Sequence, residues 1–434
     1  MAPFLPGMGV FRCMPHYKWI DRVMNEKPSV RQLAWKCLLR WSQGGIFAET
    51  LVSRAASEHK LPHSDRSLLQ ALVYDTLRNM SWLDHIRKTL RPGKLEEKMR
   101  WLVLLGLCQL FVLRLAEHAA VGETVRLAPQ RVRGVVNGML RNAVRRMAEF
   151  DAEREKLPLP VRFSTPSWLV KRWIHEFGED ATAAMLEWNI LTPPVYARLN
   201  PLNPPAEVPA NWLPLADLPL WYRLQGPLPL EALRAGQMYV TDPSTRYCVQ
   251  LLAPQPGEKV LDACAAPGGK SAAMLAATEG NLQLLATDVE EFRLKPLREN
   301  LLQAGGEDVK VAQHDWSQPC PTEWIDAFDA VLLDVPCSNS GVLQRRVDAR
   351  WRLSENEFTR LAALQRVILE QASVAVRPGG RLVYSTCSID REEDRAVVDS
   401  FLESHPEFSF VKEYLALPHL EQADGAYAAL LVRK

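Results

Sequence analysis

The chain reads as an α/β protein, with a doubly wound parallel-sheet domain over residues 236–434 preceded by an all-α domain and a small α+β connector. Three observations predict this. Apolar residues recur at three- and four-residue spacing to about residue 147, prolines crowd residues 157–235, and from about residue 236 short apolar runs alternate with helical segments.

Residues 1–27 show no periodicity and read as an irregular extension. Over residues 28–150 the runs VRQLAWKCLLRW, RSLLQALVYDTLRNMSWLDHI and VVNGMLRNAVRRM are helical in pattern. Pro62 precedes a new helix, and Pro92-Gly93 interrupts the run. The most apolar stretch, WLVLLGLCQLFVL, is closed by Arg100 and Arg114 and is too short to span a bilayer, so it predicts a buried helix. Residues 151–156 read as a charged linker. Residues 157–235 carry a helical segment, SWLVKRWIHEF, and an extended one, VYARLN, which predicts a small α+β module.

Beyond residue 236, EKVLDA, LQLLATD, VKVAQHD, FDAVLLDVP and GRLVYST read as five strands. KSAAMLAATE follows the first strand as a helix, and RLAALQRVILEQASVAV precedes the last. Ser354 with Glu357 forms a capping-box pattern ahead of that long helix. Gly379-Gly380 reads as the turn after it, and Asp424-Gly425 as a final hairpin.

Net charge is +1, but it is unevenly spread. Residues 1–150 hold 24 Lys+Arg against 12 Asp+Glu, and residues 236–434 hold 20 against 29. A polyanion-docking module fused to a catalytic one fits this distribution, and so does a helical domain with a solvated basic face. The eight cysteines form no CxxC pair and no Cys/His cluster at metal spacing, so no metal site is expected. Scattered single cysteines and the absence of a signal-peptide pattern predict a cytoplasmic protein with no membrane association, and a monomer is expected. Cys13, Cys37, Cys108, Cys248 and Cys320 read as small buried hydrophobes.

The loop DACAAPGGK (262–270) follows the first strand and opens the first helix. Its small residues permit close backbone approach to a ligand. A P-loop would need glycine where Cys264 stands, and no GxGxxG occurs, so neither phosphate-cradling pattern fits. Asp288 ends the second strand, 19 residues after Gly269, where a carboxylate can take both hydroxyls of a ribose. Alone it could equally be a helix cap. Asp315 ends the third strand, placed to meet an adenine edge. An adenosine ligand without a pyrophosphate cradle points to S-adenosylmethionine. Cys337 and Cys387 each close a strand-like run, at the end of a parallel sheet where ligands bind, and suggest covalent chemistry on a base.

DACAAPGGK, the DVPCSNSG run (334–341) and STCS (385–388) resemble the RNA cytosine-5 methyltransferases, whose fold is Rossmann-like. HAAVGETV (118–125) and VNGMLR (136–141) resemble the NusB-like RNA-binding domain, which is joined to such a catalytic domain in methyltransferases of bacterial 16S ribosomal RNA. The resemblance implies S-adenosylmethionine contacts from Cys264, Ala265, Ala266, Pro267, Gly268, Gly269, Lys270, Asp288, Asp315 and Asp334. It implies that Cys387 is the nucleophile and that Cys337 assists product release. The family's run after Gly341 usually holds a basic pair, a proline and an aspartate; here it is Arg345-Arg346-Val347-Asp348, without the proline.

Carbon 5 of cytosine is a poor nucleophile, and a thiolate added at carbon 6 makes it a good one. Asp334 is expected to hydrogen-bond the base edge and stabilise the adduct. An unpaired base costs least to extrude, so single-stranded RNA is the expected substrate, gripped by arginines such as Arg131, Arg133, Arg141, Arg145 and Arg146. Three alternatives stay open: methylation of transfer RNA or DNA, a non-catalytic RNA-binding antitermination factor, and a nucleotide hydrolase. The DNA enzymes use the Pro-Cys cysteine as nucleophile and lack the Thr-Cys partner. Both cysteines here favour RNA.

Overall fold

The computed structural model describes residues 27–434; the extension up to residue 26, with Cys13, lies outside the described residues. Helices fill the N-terminal part. The first, Val30–Ser42, is capped by Ser29, whose hydroxyl accepts from the Gln32 amide. Pro62 precedes His63–Arg78. Glu97–Phe111 is the central helix, buried at every position from Trp101 onward. Gly106 lets Leu140 press against it, since a Cβ there would stand 2.9 Å from the leucine methyl groups.

The charged residues 151–156 are not a linker. Most of them continue the helix Met147–Arg154, held by buried Phe150, by an Arg114–Asp151 ion pair of 2.9 Å, and by Arg154 lying 3.8 Å over the Trp82 ring. Tertiary partners here override a composition that reads as solvated.

Helices Ser167–Phe177 and Glu179–Ile190 lead into a small antiparallel sheet of β1 (Tyr196–Leu199), β2 (Leu213–Pro214), β3 (Trp221–Arg223) and β4 (Met238–Val240), in the order β2-β3-β1-β4. The sheet therefore runs past residue 235. Gly236, at φ +68°, makes the approach possible: a Cβ there would fall 2.0 Å from the Gln303 carbonyl oxygen.

The large sheet comprises β5 (Lys259–Asp262), β6 (Gln283–Asp288), β7 (Lys310–Gln313), β8 (Phe328–Asp334), β9 (Val376–Thr386), β10 (Phe408–Ala416) and β11 (Ala426–Arg433). Its order is β10-β11-β9-β8-β5-β6-β7, parallel from β7 to β9 with β11 and β10 added antiparallel. Alternation in β8 sends Val331 and Leu333 to one core and Ala330 and Leu332 to the other. Helices Gly269–Ala277 and Glu291–Gln303 cover one face, and Glu355–Ser373 and Arg395–Ser404 the other.

Three local expectations change. Ser354 is the N-cap of Glu355–Ser373, but its side chain makes no capping bond: the Glu357 amide donates to the Ser354 carbonyl at 3.0 Å, and the Glu357 carboxylate pairs with Arg360 at 2.6 Å. Gly379-Gly380 form a bulge inside β9 rather than a turn before it, and the register slips between Phe328 and Ala330. β10 and β11 do pair as a hairpin, but residues 417–425 connect them through the short helix Pro418–Glu421. Asp424-Gly425 instead meets the active-site loop, where the Gly425 amide donates to the Gly341 carbonyl at 2.7 Å.

Past that loop, residues 342–353 plug into the helical domain. Val347 is buried within the helical core. Asp348 accepts from the Trp41 indole at 3.0 Å and from the Ala48 amide at 2.8 Å. The Trp351 indole donates to the Leu77 carbonyl, Arg346 pairs with Glu49, and Arg352 reaches the Ile46 carbonyl. Arg350 is fully buried and spends its guanidinium on the Asn189 and Leu343 carbonyls.

Candidate active site

The site lies at the C-terminal ends of β5, β8 and β9, where parallel strands open a crevice. The loop after β5 turns at Gly268, with φ +105°, and presents the start of helix Gly269–Ala277. A Cβ on Gly268 would stand 3.0 Å from Leu297, so only glycine gives the loop both this conformation and this contact.

A cavity of about 380 Å³ is lined by residues 264–270, by Asp262 and Asp334, and by Tyr239, Thr241, Asn300 and Gln303. All seven loop residues read from the sequence border it. Asp262 was not among them. It is fully buried, and Ser271 donates to one of its carboxylate oxygens at 2.5 Å while the other has no partner among the described residues. Burial pushes its carboxyl up to about 7 from an ordinary 3.8. The signal in the sequence was its place as the last residue of the strand.

The sign of that shift gives a test. A carboxyl raised in the folded state contributes fully below its unfolded value and costs stability as pH rises from about 4 to about 7. Asp262→Asn is therefore expected to melt above the wild type at pH 8, and equally with it near pH 4. Thermal melts at the two pH values check this.

Lys270 and Asp334 join this cavity to a smaller one, of about 80 Å³, lined also by Thr245, Thr386, Cys387 and Asp424. Their ion pair measures 2.6 Å. Burial alone would lower Lys270, but the Asp334 carboxylate, with further help from Cys248 and Cys387, raises it well above the usual lysine range. The lysine stays charged. The second oxygen of Asp334 has no hydrogen bond among the described residues.

Cys337 and Cys387 are brought together, with their sulfurs 3.0 Å apart. Several bonds set that distance. The Gly341 amide donates to the Cys387 carbonyl at 3.0 Å, Ser340 and Ser388 hydroxyls meet at 3.0 Å, and the Ile389 amide donates to Ser340 at 3.1 Å. Glu393, fully buried, accepts from the Ser338 amide at 2.8 Å and from its hydroxyl at 2.5 Å. The Cys387 thiol also lies 3.3 Å from the Asn339 side-chain oxygen. Asn339 sits in the left-handed region at φ 61°. The sulfur contact between Cys337 and Cys387, and then burial, push the Cys337 thiol well above its ordinary value.

Asp288 and Asp315 lie off the cavity. Asp288 is buried, and its carboxylate accepts from the Ala266 amide at 3.2 Å and pairs with Arg293 at 3.2 Å. Asp315 accepts from the Ser317 amide at 2.9 Å. In the helical domain Arg131, Arg133, Arg141 and Arg145 are exposed, and Arg146 is tied to Glu149 at 2.6 Å. Among the described residues no group of three or more His, Cys, Asp or Glu is placed to hold a metal, and no helix is long and apolar enough to cross a membrane.

Comparison with known proteins adds to this geometry. Residues 249–432 match the family model for 16S rRNA methyltransferase RsmB/F, and residues 28–145 match the NusB family. Ribosomal RNA small subunit methyltransferase B of Salmonella arizonae is 34% identical over 413 residues, covering 87% of this chain and 92% of that protein. Its namesake from Citrobacter koseri is 34% identical over 409 residues, covering 87% and 93%. The crystal structure of PH0851 superposes with a TM-score of 0.74 at 23% identity, covering 94% of this chain and 99% of that one, and so shares the fold. With both family models matched in order, and relatives at 34% identity covering 87% of the chain, the chain belongs to the RsmB/F family of 16S rRNA methyltransferases.

Proposed function

We propose that the chain methylates carbon 5 of a cytosine in 16S ribosomal RNA, with Cys387 adding to carbon 6 and Cys337 assisting release. Family membership makes it an S-adenosylmethionine-dependent methyltransferase of small-subunit ribosomal RNA. The observation that carries the finer reading is the sulfur pair, 3.0 Å apart beside the Lys270–Asp334 ion pair.

The cavity fits the donor. Residues 264–270 offer backbone and small side chains, and the unpartnered Asp262 oxygen suits its cationic end. Asp288 would reach a ribose only once Arg293 turns away, and Asp315 would come from the neighbouring strand end. When bound, the donor supplies a sulfonium methyl group. Cys387 supplies the addition that gives carbon 5 its electron density. The free oxygen of Asp334 accepts from the exocyclic amine, while the Lys270 ammonium offsets charge gathering on the ring. A base then takes the carbon 5 proton, the electron pair of that bond reforms the carbon 5–carbon 6 double bond, and Cys387 leaves as a thiolate with Cys337 beside it.

Nucleoside mass spectrometry of unmodified 16S transcript, treated with the protein and S-adenosylmethionine, is expected to show 5-methylcytidine. A methyl group on uridine, or on another atom of cytidine, would sink the reading.

A further inference from the structure

A third cavity, of about 440 Å³, has no part in the chemistry above. Its size is that of an ordinary ligand pocket. One wall is the small sheet, with Arg198 on β1, Trp221 on β3 and Tyr239 on β4; the other comes from helices Arg246–Leu252 and Gly269–Ala277. Tyr239, Thr241 and Gly269 border both this cavity and that of the cofactor loop, and Thr245 borders all three. A ligand here would lie next to the reacting groups.

Arg198 is the unusual member. It belongs to the VYARLN run, is half-buried, and has no hydrogen bond or ion pair among the described residues. Arg246, across the cavity, is by contrast tied to Glu421 at 3.1 Å. A guanidinium drawn out of water without a partner is costly unless an anion arrives to meet it. The remaining wall is mostly apolar, with two aromatic rings that suit the face of a base, and Asp217 is its one carboxylate among the described residues. We propose that this cavity seats the nucleotide neighbouring the target cytosine in single-stranded RNA, with Arg198 on its phosphate. The proposal rests on the reading of an RNA substrate above.

The test uses the full chain as wild type, Arg198→Met and Arg198→Lys, with an RNA oligonucleotide binding curve taken at several salt concentrations. Arg198→Met is expected to weaken RNA binding about tenfold and to shrink the log–log salt slope by about 0.7, the loss of one phosphate contact on a single strand. Arg198→Lys is expected to restore the slope, with the KM for S-adenosylmethionine unchanged in both variants. An unchanged RNA slope in Arg198→Met, or a raised KM for S-adenosylmethionine with RNA binding intact, overturns the subsite. So does a folded Arg198→Lys that binds no better than Arg198→Met. Formation of 5-methylcytidine by the wild type, scored on the same oligonucleotide, separates the two ideas: product with an unchanged slope removes the subsite alone.

Discussion

Replacing Cys387 with alanine is expected to cut methyl transfer by at least ~10³-fold, the scale of losing a catalytic nucleophile, and to leave no protein–RNA adduct. Replacing Cys337 with alanine is expected instead to accumulate the adduct. The asymmetry comes from the surroundings of two sulfurs 3.0 Å apart. The hydrogen bond with Cys387 and burial raise the Cys337 thiol well above its ordinary value, which weakens it as a nucleophile. Cys387 looks onto the small cavity that Lys270 and Asp334 also line. Denaturing gels with labelled RNA score the adduct, and methyl incorporation scores turnover. Should Cys387→Ala methylate while Cys337→Ala is dead and adduct-free, the roles are reversed and the site works as the DNA enzymes do.

Asp348→Ala is expected to destabilise the protein by about 3 kcal/mol, although it lines none of the three cavities. Its carboxylate is almost fully buried and accepts two donors of the helical domain, the Trp41 indole and the Ala48 amide. Hydrogen bonds to a charged acceptor contribute roughly 1.5–3 kcal/mol each, and removing the acceptor strands both donors. Chemical denaturation measures the loss. Methyl transfer should fall further than RNA affinity, because Asp348 follows the active-site loop in the chain while the exposed arginines are untouched. A variant as stable as the wild type would show that the plug at residues 342–353 contributes little to the junction.

What could be read from the sequence was whatever depends on neighbours in the chain. Alternation marked β5 to β9, and the loop residues 264–270 and both cysteines fall where strand ends put them. What could not be read depends on distant partners. The capping pattern at Ser354 lost its glutamate to Arg360, and the charged residues after Asp151 stay helical through contacts with Arg114 and Trp82. Arg345 reads as one half of a basic pair, yet its guanidinium binds Asp242 and Asp424, each at 2.8 Å. Those partners come from segments far away in the chain, and no local pattern announces them. Asp262 escaped notice because an aspartate ending a strand is common, and only burial makes this one unusual.

Val347 gives the helical domain a debt to the far end of the chain. That domain leaves the ribosome first during synthesis and would ordinarily fold first. Its core nevertheless includes a side chain made only after most of the large sheet has been translated. Until then the nascent helices carry an unfilled hole, and the last packing step of the first domain waits on the loop that carries Cys337. Maturation of the two halves is thereby coupled in time as well as in space, and a chain released before that point holds neither a finished helical domain nor a finished active site.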